Sequence, residues 1–74
     1  MAPKHFYYIS GFDQVFHSLE DAKWNLTVGF TRLEAIKHLQ NQSICHFVGD
    51  KLHSETPIKV DETGRISFGK TRLV

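Results

Sequence analysis

The sequence contains a single cysteine, Cys45, in 74 residues. One cysteine cannot form an intramolecular disulfide, and it cannot supply the paired thiols of a cysteine-rich zinc module. No apolar run approaches the roughly 18 residues that a membrane span requires, and no hydrophobic stretch of a secretory signal follows the first residues. We therefore expect a cytoplasmic protein with no disulfide framework and no membrane contact.

The chain also lacks an excess of charge of either sign. Nine Lys and Arg residues against eight Asp and Glu residues leave a net charge of +1, unlike the strongly basic surface of a dedicated nucleic-acid binder. Hydrophobic residues make up 41% of the chain, which excludes intrinsic disorder. The length predicts one small domain, residues 1–74, with little room for a catalytic cleft beside its core. We expect no enzymatic activity.

The N-terminal part has the pattern of two strands. The β-branched and aromatic run 4–10 predicts a strand, and large side chains on both of its faces indicate a central position. A turn at 11–13 and a short returning strand at 14–17 follow.

Two helices are expected next. Ser18 with Asp21, and Thr31 with Glu34, have the spacing of capping boxes at helix N-termini. The first helix carries an apolar stripe, and the second runs to about Gln40. The stripe residues are Leu19, Ala22, Leu26 and Phe30 in the first helix, and Leu33, Ile36 and Leu39 in the second.

The period changes to two after residue 43. The segment 44–54 resembles a hairpin on a Gly49-Asp50 turn, and a second hairpin joins 58–60 to 65–68 around Gly64. We expect Pro57 to start a separate segment, because proline cannot donate to a central ladder. The prediction is an α+β fold: a small, mainly antiparallel sheet, built from an N-terminal strand or hairpin and a C-terminal meander, packed by one or two helices. The expected core comprises Phe6, Tyr8, Leu19, Ala22, Leu26, Phe30, Leu33, Ile36, Leu39, Ile44, Phe47, Ile58, Val60, Ile66 and Phe68.

The sharpest motif is Gly64–Thr71, which matches the P-loop expression G-x-x-x-x-G-K-[ST]. A P-loop needs a helix after the loop, whose N-terminal N–H groups hold the phosphates. Only three residues follow Thr71, and residues 66–68 have the composition of a strand. We interpret the match as a hairpin with no nucleotide site.

Five histidines and Cys45 raise the possibility of a metal or a cysteine nucleophile. The hairpin brings Cys45 and His46 near His53, but no C-x₂-C or H-x₃-H pair occurs. His46 points to the face opposite Cys45, although His53 remains a possible cross-strand base. We expect no metal, no cofactor and no catalytic residue.

Two surfaces remain as candidates for a partner. Trp24 and Val28 form a second apolar stripe on the first helix, which is covered by the second helix or the last strand, or else presented to a partner. Arg65, Lys70 and Arg72 make the last ten residues basic. This segment is either a solvated sheet edge or a contact for nucleic acid or an acidic partner.

Four segments of the chain, 16–23, 36–39, 58–60 and 66–71, resemble a set of small uncharacterised proteins of Bacteroides-type gut bacteria. The resemblance implies a bacterial cytoplasmic origin on mobile genetic elements and carries over no functional residue. The leading hypothesis is a non-enzymatic interaction or accessory module that binds a protein partner or itself. The alternative is nucleic-acid binding through the basic C-terminal hairpin edge, by stacking on nearby aromatics.

Overall fold

A computed structural model describes residues 4–9, 12 and 14–74. Within these residues the chain forms two helices and six strands, and the expected α+β architecture is confirmed. The elements are β1 His5–Ile9, β2 Val15–Phe16, α1 Leu19–Gly29, α2 Arg32–His38, β3 Ser43–Val48, β4 Lys51–Val60, β5 Ile66–Phe68 and β6 Arg72–Leu73.

Both helices begin where their capping residues predict. The Ser18 hydroxyl accepts a hydrogen bond from the Asp21 backbone N–H at 3.0 Å. Thr31 and Glu34 form a complete capping box, in which each side chain accepts from the other residue's backbone N–H. These bonds satisfy N–H groups that have no partner inside the helix.

The six strands form one antiparallel sheet that curls into a half-barrel, in the order β2-β1-β3-β4-β5, with β6 also paired to β4. The central position expected for β1 is confirmed, because β1 pairs with both β2 and β3. Parts of the expected turn at 11–13 lie outside the described residues, which include only Phe12 of that turn.

The expectation that Pro57 starts a separate segment is wrong, because β4 continues through it. The Pro57 carbonyl accepts from the Gly69 N–H at 2.9 Å. In an antiparallel strand a residue's N–H and C=O point to the same neighbour. The side of Pro57 that lacks an N–H donor therefore faces the irregular connection between β5 and β6, and the hydrogen bonds to β3 are not interrupted.

The helices cover the sheet face that carries Ile9, Ile44 and Ile58. Ala22 and Leu26 of α1, Ala35 of α2 and Leu39, the C-cap residue of α2, complete the fully buried cluster. Of the expected core, Leu19, Phe30, Val60, Ile66 and Phe68 pack against this cluster as partly buried residues.

Five residues of the expected core do not belong to it: Phe6, Tyr8, Leu33, Ile36 and Phe47. Ile36 is only partly buried and is not among the hydrophobic residues that pack against the cluster. Leu33 is 62% exposed, because α2 turns Ala35 inward and Leu33 lies about 160° from Ala35 on the helix. Phe6, Tyr8 and Phe47 are partly buried on the opposite face of the sheet. Ile9 and Ala35, which the sequence pattern did not single out, are buried instead.

Candidate functional site

The outer face of α1 carries the largest exposed aromatic side chain among the described residues. Trp24 is 66% exposed and Val28 is 58% exposed, while Ala22 and Leu26 on the inner face are almost fully buried. The expectation that α2 or the last strand covers the Trp24–Val28 stripe is therefore wrong. The stripe lies on the surface, and we call it the α1 outer face.

Two carboxylates flank this face. At 100° per residue, Glu20 and Asp21 lie within about 60° of Trp24 and one turn toward the helix N-terminus. Both are exposed and both belong to the first turn of α1, where negative charge complements the helix dipole. The next cation along the helix, Lys23, points away from this face, and its ammonium lies 5.2 Å from the centre of the Phe68 ring. The α1 outer face thus combines apolar surface with local negative charge.

The three basic residues expected on the C-terminal edge are exposed, but they do not form one patch. Arg65 precedes β5, whereas Lys70 follows it, and five residues of extended chain span roughly 17 Å. Arg72 lies opposite Glu55 in the register of β4 and β6, so a carboxylate accompanies it.

The structure adds one basic residue to this edge that sequence inspection missed. A β-carbon placed on Gly69 would lie 3.2 Å from Cε of Lys59, so the Lys59 stem crosses the residue next to Lys70. Only the strand register brings Lys59 to this edge, because Lys59 of β4 pairs with Ser67 of β5.

Arg65 lies instead in a cleft of about 250 Å³ shared with Arg32. The apolar part of its wall is Phe30 and Ile66. Arg32 and Arg65, from distant parts of the chain, thus line one cleft at the junction of α1 and α2.

The P-loop match at Gly64–Thr71 is a hairpin and a strand edge, as expected. The Asp61 carboxylate accepts from the backbone N–H groups of Thr63 and Arg65, both at 2.9 Å, and fixes the turn. The Thr63 hydroxyl also donates to this carboxylate, at 2.7 Å, and this bond, together with the backbone bonds, holds the pKa of Asp61 below its usual value. Residues 66–68 then pair with β4, and the segment after Thr71 forms β6 rather than a helix.

Cys45 lies on the sheet face opposite His46, between Tyr8 and Glu55 in the strand register. Partial burial raises the pKa of its thiol, and the negative charge of Glu55 raises it further. A nucleophilic cysteine needs the reverse, a thiolate stabilised by positive charge. The geometry therefore gives no support to a cysteine nucleophile.

Three of the five histidines meet on the inner face of the sheet. Nδ1 of His5 and Nε2 of His46 are 2.9 Å apart and share a hydrogen bond. The His46 ring stacks on Tyr7 with centroids 4.3 Å apart and meets the edge of His53 at 5.2 Å. The expected approach of His46 and His53 is confirmed, whereas His5, 41 residues from His46 along the chain, was not foreseen.

The electrostatic environment of His46 disfavours its charged form. Burial lowers the pKa of His46, and the charges of His5 and His53 lower it further. Within the part of the chain that the structure describes, no group of three or more His, Cys, Asp or Glu side chains is arranged to hold a metal ion.

The opposite face of the sheet has a shallow apolar depression. Its volume is about 310 Å³, and its lining consists of Phe6, Tyr8, Val15, Phe47 and Gly49. Phe6, Tyr8 and Phe47 are rings that the sequence pattern placed in the core. They come together because β1 and β3 are neighbours and each carries large side chains on both faces.

The chain matches no known family model, no curated protein and no solved structure. Among the described residues, neither helix has the length and apolar character to cross a membrane. The resemblance to proteins of Bacteroides-type bacteria, and the cytoplasmic location it implies, stay predictions.

Proposed function

We propose that this chain is a non-enzymatic protein-interaction module and that the α1 outer face is its contact surface. The observation that carries the proposal is the 66% exposure of Trp24 beside Val28 on a helix whose other face is buried. Tryptophan buries about 150–250 Å² when it is covered and is enriched among residues that dominate binding energy. A partner that covers this stripe recovers apolar burial that the chain itself does not achieve.

The charges around the stripe define the partner's chemistry. Glu20 and Asp21 border Trp24 on the side of the helix N-terminus. A complementary segment of another protein presents apolar side chains to Trp24 and Val28, and Lys or Arg to the two carboxylates. A cation held over the Trp24 ring adds about 0.5–2 kcal/mol.

Trp24 is the only tryptophan in the chain, so its fluorescence reports directly on this face. Proteins captured from the source cells with the wild-type chain are compared with those captured by Trp24→Gln/Val28→Gln. Leu73→Gln is the matched control, because Leu73 is 77% exposed but lies on β6. We expect capture to be lost in the double variant and kept in the control.

Each captured protein is then purified and titrated into the wild-type chain. We expect a blue shift of Trp24 emission, at least tenfold weaker binding by Val28→Gln, and weaker binding at low salt by Glu20→Gln/Asp21→Asn. Equal binding by the wild type and Trp24→Gln/Val28→Gln, or unchanged emission at saturation, would contradict the proposal.

Nucleic-acid binding is the second candidate, and the position of Lys59 beside Lys70 supports it. Phosphate contacts weaken steeply as salt rises. Titration of mixed single-stranded DNA and RNA at low salt is compared between the wild type and Lys59→Gln/Lys70→Gln, with Lys37→Gln on α2 as the control. Binding that only the edge variant loses would favour this candidate over the α1 outer face.

A further inference from the structure

We infer that His5, His46 and His53 form a pH-sensitive clasp, which holds β1, β3 and β4 together at the end of the sheet away from the helices. His5 belongs to β1, His46 to β3 and His53 to β4, so the cluster joins three adjacent strands. We call these three residues the histidine clasp. It is independent of the α1 outer face.

The hydrogen bond between His5 and His46 limits the protons that the clasp can hold. One ring nitrogen must donate and the other must accept, so at least one of the two rings is neutral while the bond exists. When both rings are protonated, both nitrogens carry hydrogen. The bond at 2.9 Å then becomes a repulsive contact between two cations.

The charged and titratable groups around the clasp come from β1, β4, β6 and the Gly49-Asp50 turn. β1 contributes His5 and the ring of Tyr7, and β4 contributes His53, which meets His46 edge-on. Lys4 and Lys51 are the cations nearest in sequence and register, and Asp50 lies at the hairpin tip. Glu55 pairs with Cys45 on the opposite face. β6 brings the C-terminal residue Val74 beside β4, where its N–H donates to the His53 carbonyl at 3.0 Å.

Because the clasp lies at one end of the paired strands, we expect its protonation to separate the strands only at that end. At the other end of the β1–β3 pair, Ile9 and Ile44 face each other and both are 1% exposed beneath the helices. At the clasp end, His5 pairs with Val48 and is exposed. Protonation therefore releases the His5 end of β1 first, while the Ile9 end stays packed.

The sign of the effect follows from His46. Its pKa in the folded chain is lower than the ordinary value of 6.5, so the unfolded chain binds more protons between these two values. The contribution of neutral His46 to the free energy of unfolding is therefore fully present above pH 6.5. It is lost as the pH falls toward the folded-state pKa of His46. Carboxylates titrate near pH 4, so a scan from about pH 7.5 to 5.5 isolates the histidines.

The test measures Tm of the full chain across this range for the wild type, His46→Phe and His5→Gln. His46→Phe keeps a ring against Tyr7 but cannot titrate, and His17→Gln removes an exposed histidine outside the clasp. We expect Tm to fall with pH in the wild type and in His17→Gln, and to change less in the two clasp variants. A tenfold loss in the folding equilibrium constant corresponds to about 5–11 °C in a domain of this size.

Amide hydrogen exchange tests the local opening. On acidification, and after correction for the intrinsic rates, the amides around Phe6 and Phe47 should lose protection before those around Ile9 and Ile44. A wild-type Tm that is flat from pH 7.5 to 5.5 would overturn the proposal. So would slopes in His46→Phe and His5→Gln equal to that of the wild type, or a uniform loss of protection along β1.

Discussion

Gly64 lies directly against the backbone of Arg32, so that a β-carbon at Gly64 would stand 2.5 Å from Cβ of Arg32 and 2.6 Å from its carbonyl oxygen. Gly64 also has a φ of +84°, which side chains of L-residues rarely adopt. The turn between β4 and β5 is thereby seated against the first residue of α2. This contact ties the C-terminal hairpin to the helical layer.

Gly64→Ala should lower the free energy of unfolding by about 2–5 kcal/mol. The positive φ costs roughly 1–2 kcal/mol, and displacing the Arg32 backbone adds about 1–3 kcal/mol of overpacking. Gly49→Ala is the control, because Gly49 has a φ of +66° but nothing within 4 Å of a β-carbon. Urea unfolding should show only the smaller loss for Gly49→Ala, and equal losses would mean that the contact with Arg32 contributes nothing.

Leu26→Ala should destabilise the chain by about 2–5 kcal/mol, because Leu26 is 1% exposed at the centre of the core. Leu33→Ala removes the same atoms from a residue that is 62% exposed, and should change stability by less than about 0.5 kcal/mol. Thermal unfolding of both variants tests which face of α1 and which face of α2 is turned toward the sheet. If Leu33→Ala loses more stability than this limit, Leu33 is buried and α2 is rotated from the orientation described above.

The thiol of Cys45 should react slowly with iodoacetamide at pH 8, because burial and Glu55 keep its pKa above the ordinary 9.0 and little thiolate is present. Glu55→Gln removes one of the two causes and should increase the alkylation rate. Glu62→Gln removes an exposed carboxylate from the β4–β5 turn and should leave the rate unchanged. If Glu55→Gln reacts at the wild-type rate, the charge of Glu55 does not act on Cys45.

The helix starts and hairpin turns could be predicted from sequence because their causes are local. Thr31 and Glu34 are three residues apart, and the capping box needs nothing from the rest of the chain. The Gly49-Asp50 turn likewise connects strands that are adjacent in sequence. The position of Pro57 inside β4 could not be predicted from sequence, because a strand tolerates proline only where no neighbouring strand needs its N–H.

The parts that could not be predicted depend on which surfaces meet. Leu33 and Ala35 are both compatible with an inward position, and only the packing of α2 against the sheet selects Ala35. The clasp contact between His5 and His46 depends on the register of two strands separated by both helices. Exposure of Trp24 depends on where α2 lies relative to α1, which capping and periodicity do not determine.

Lys70 provides a decisive test of the P-loop match, because it is the lysine that would meet the phosphates of a nucleotide. In this fold Lys70 is exposed on the connection between β5 and β6. ATP or GTP with Mg²⁺ should therefore leave Tm unchanged, and Lys70→Ala should alter stability by less than about 0.5 kcal/mol. A true site would stabilise the chain by about 2.7 kcal/mol at a ligand concentration one hundredfold above Kd, or roughly 10 °C or more in Tm. A shift of that size that Lys70→Ala removes would contradict both the hairpin interpretation and the proposal of a non-enzymatic module, whereas a shift that Lys70→Ala keeps would place the nucleotide elsewhere.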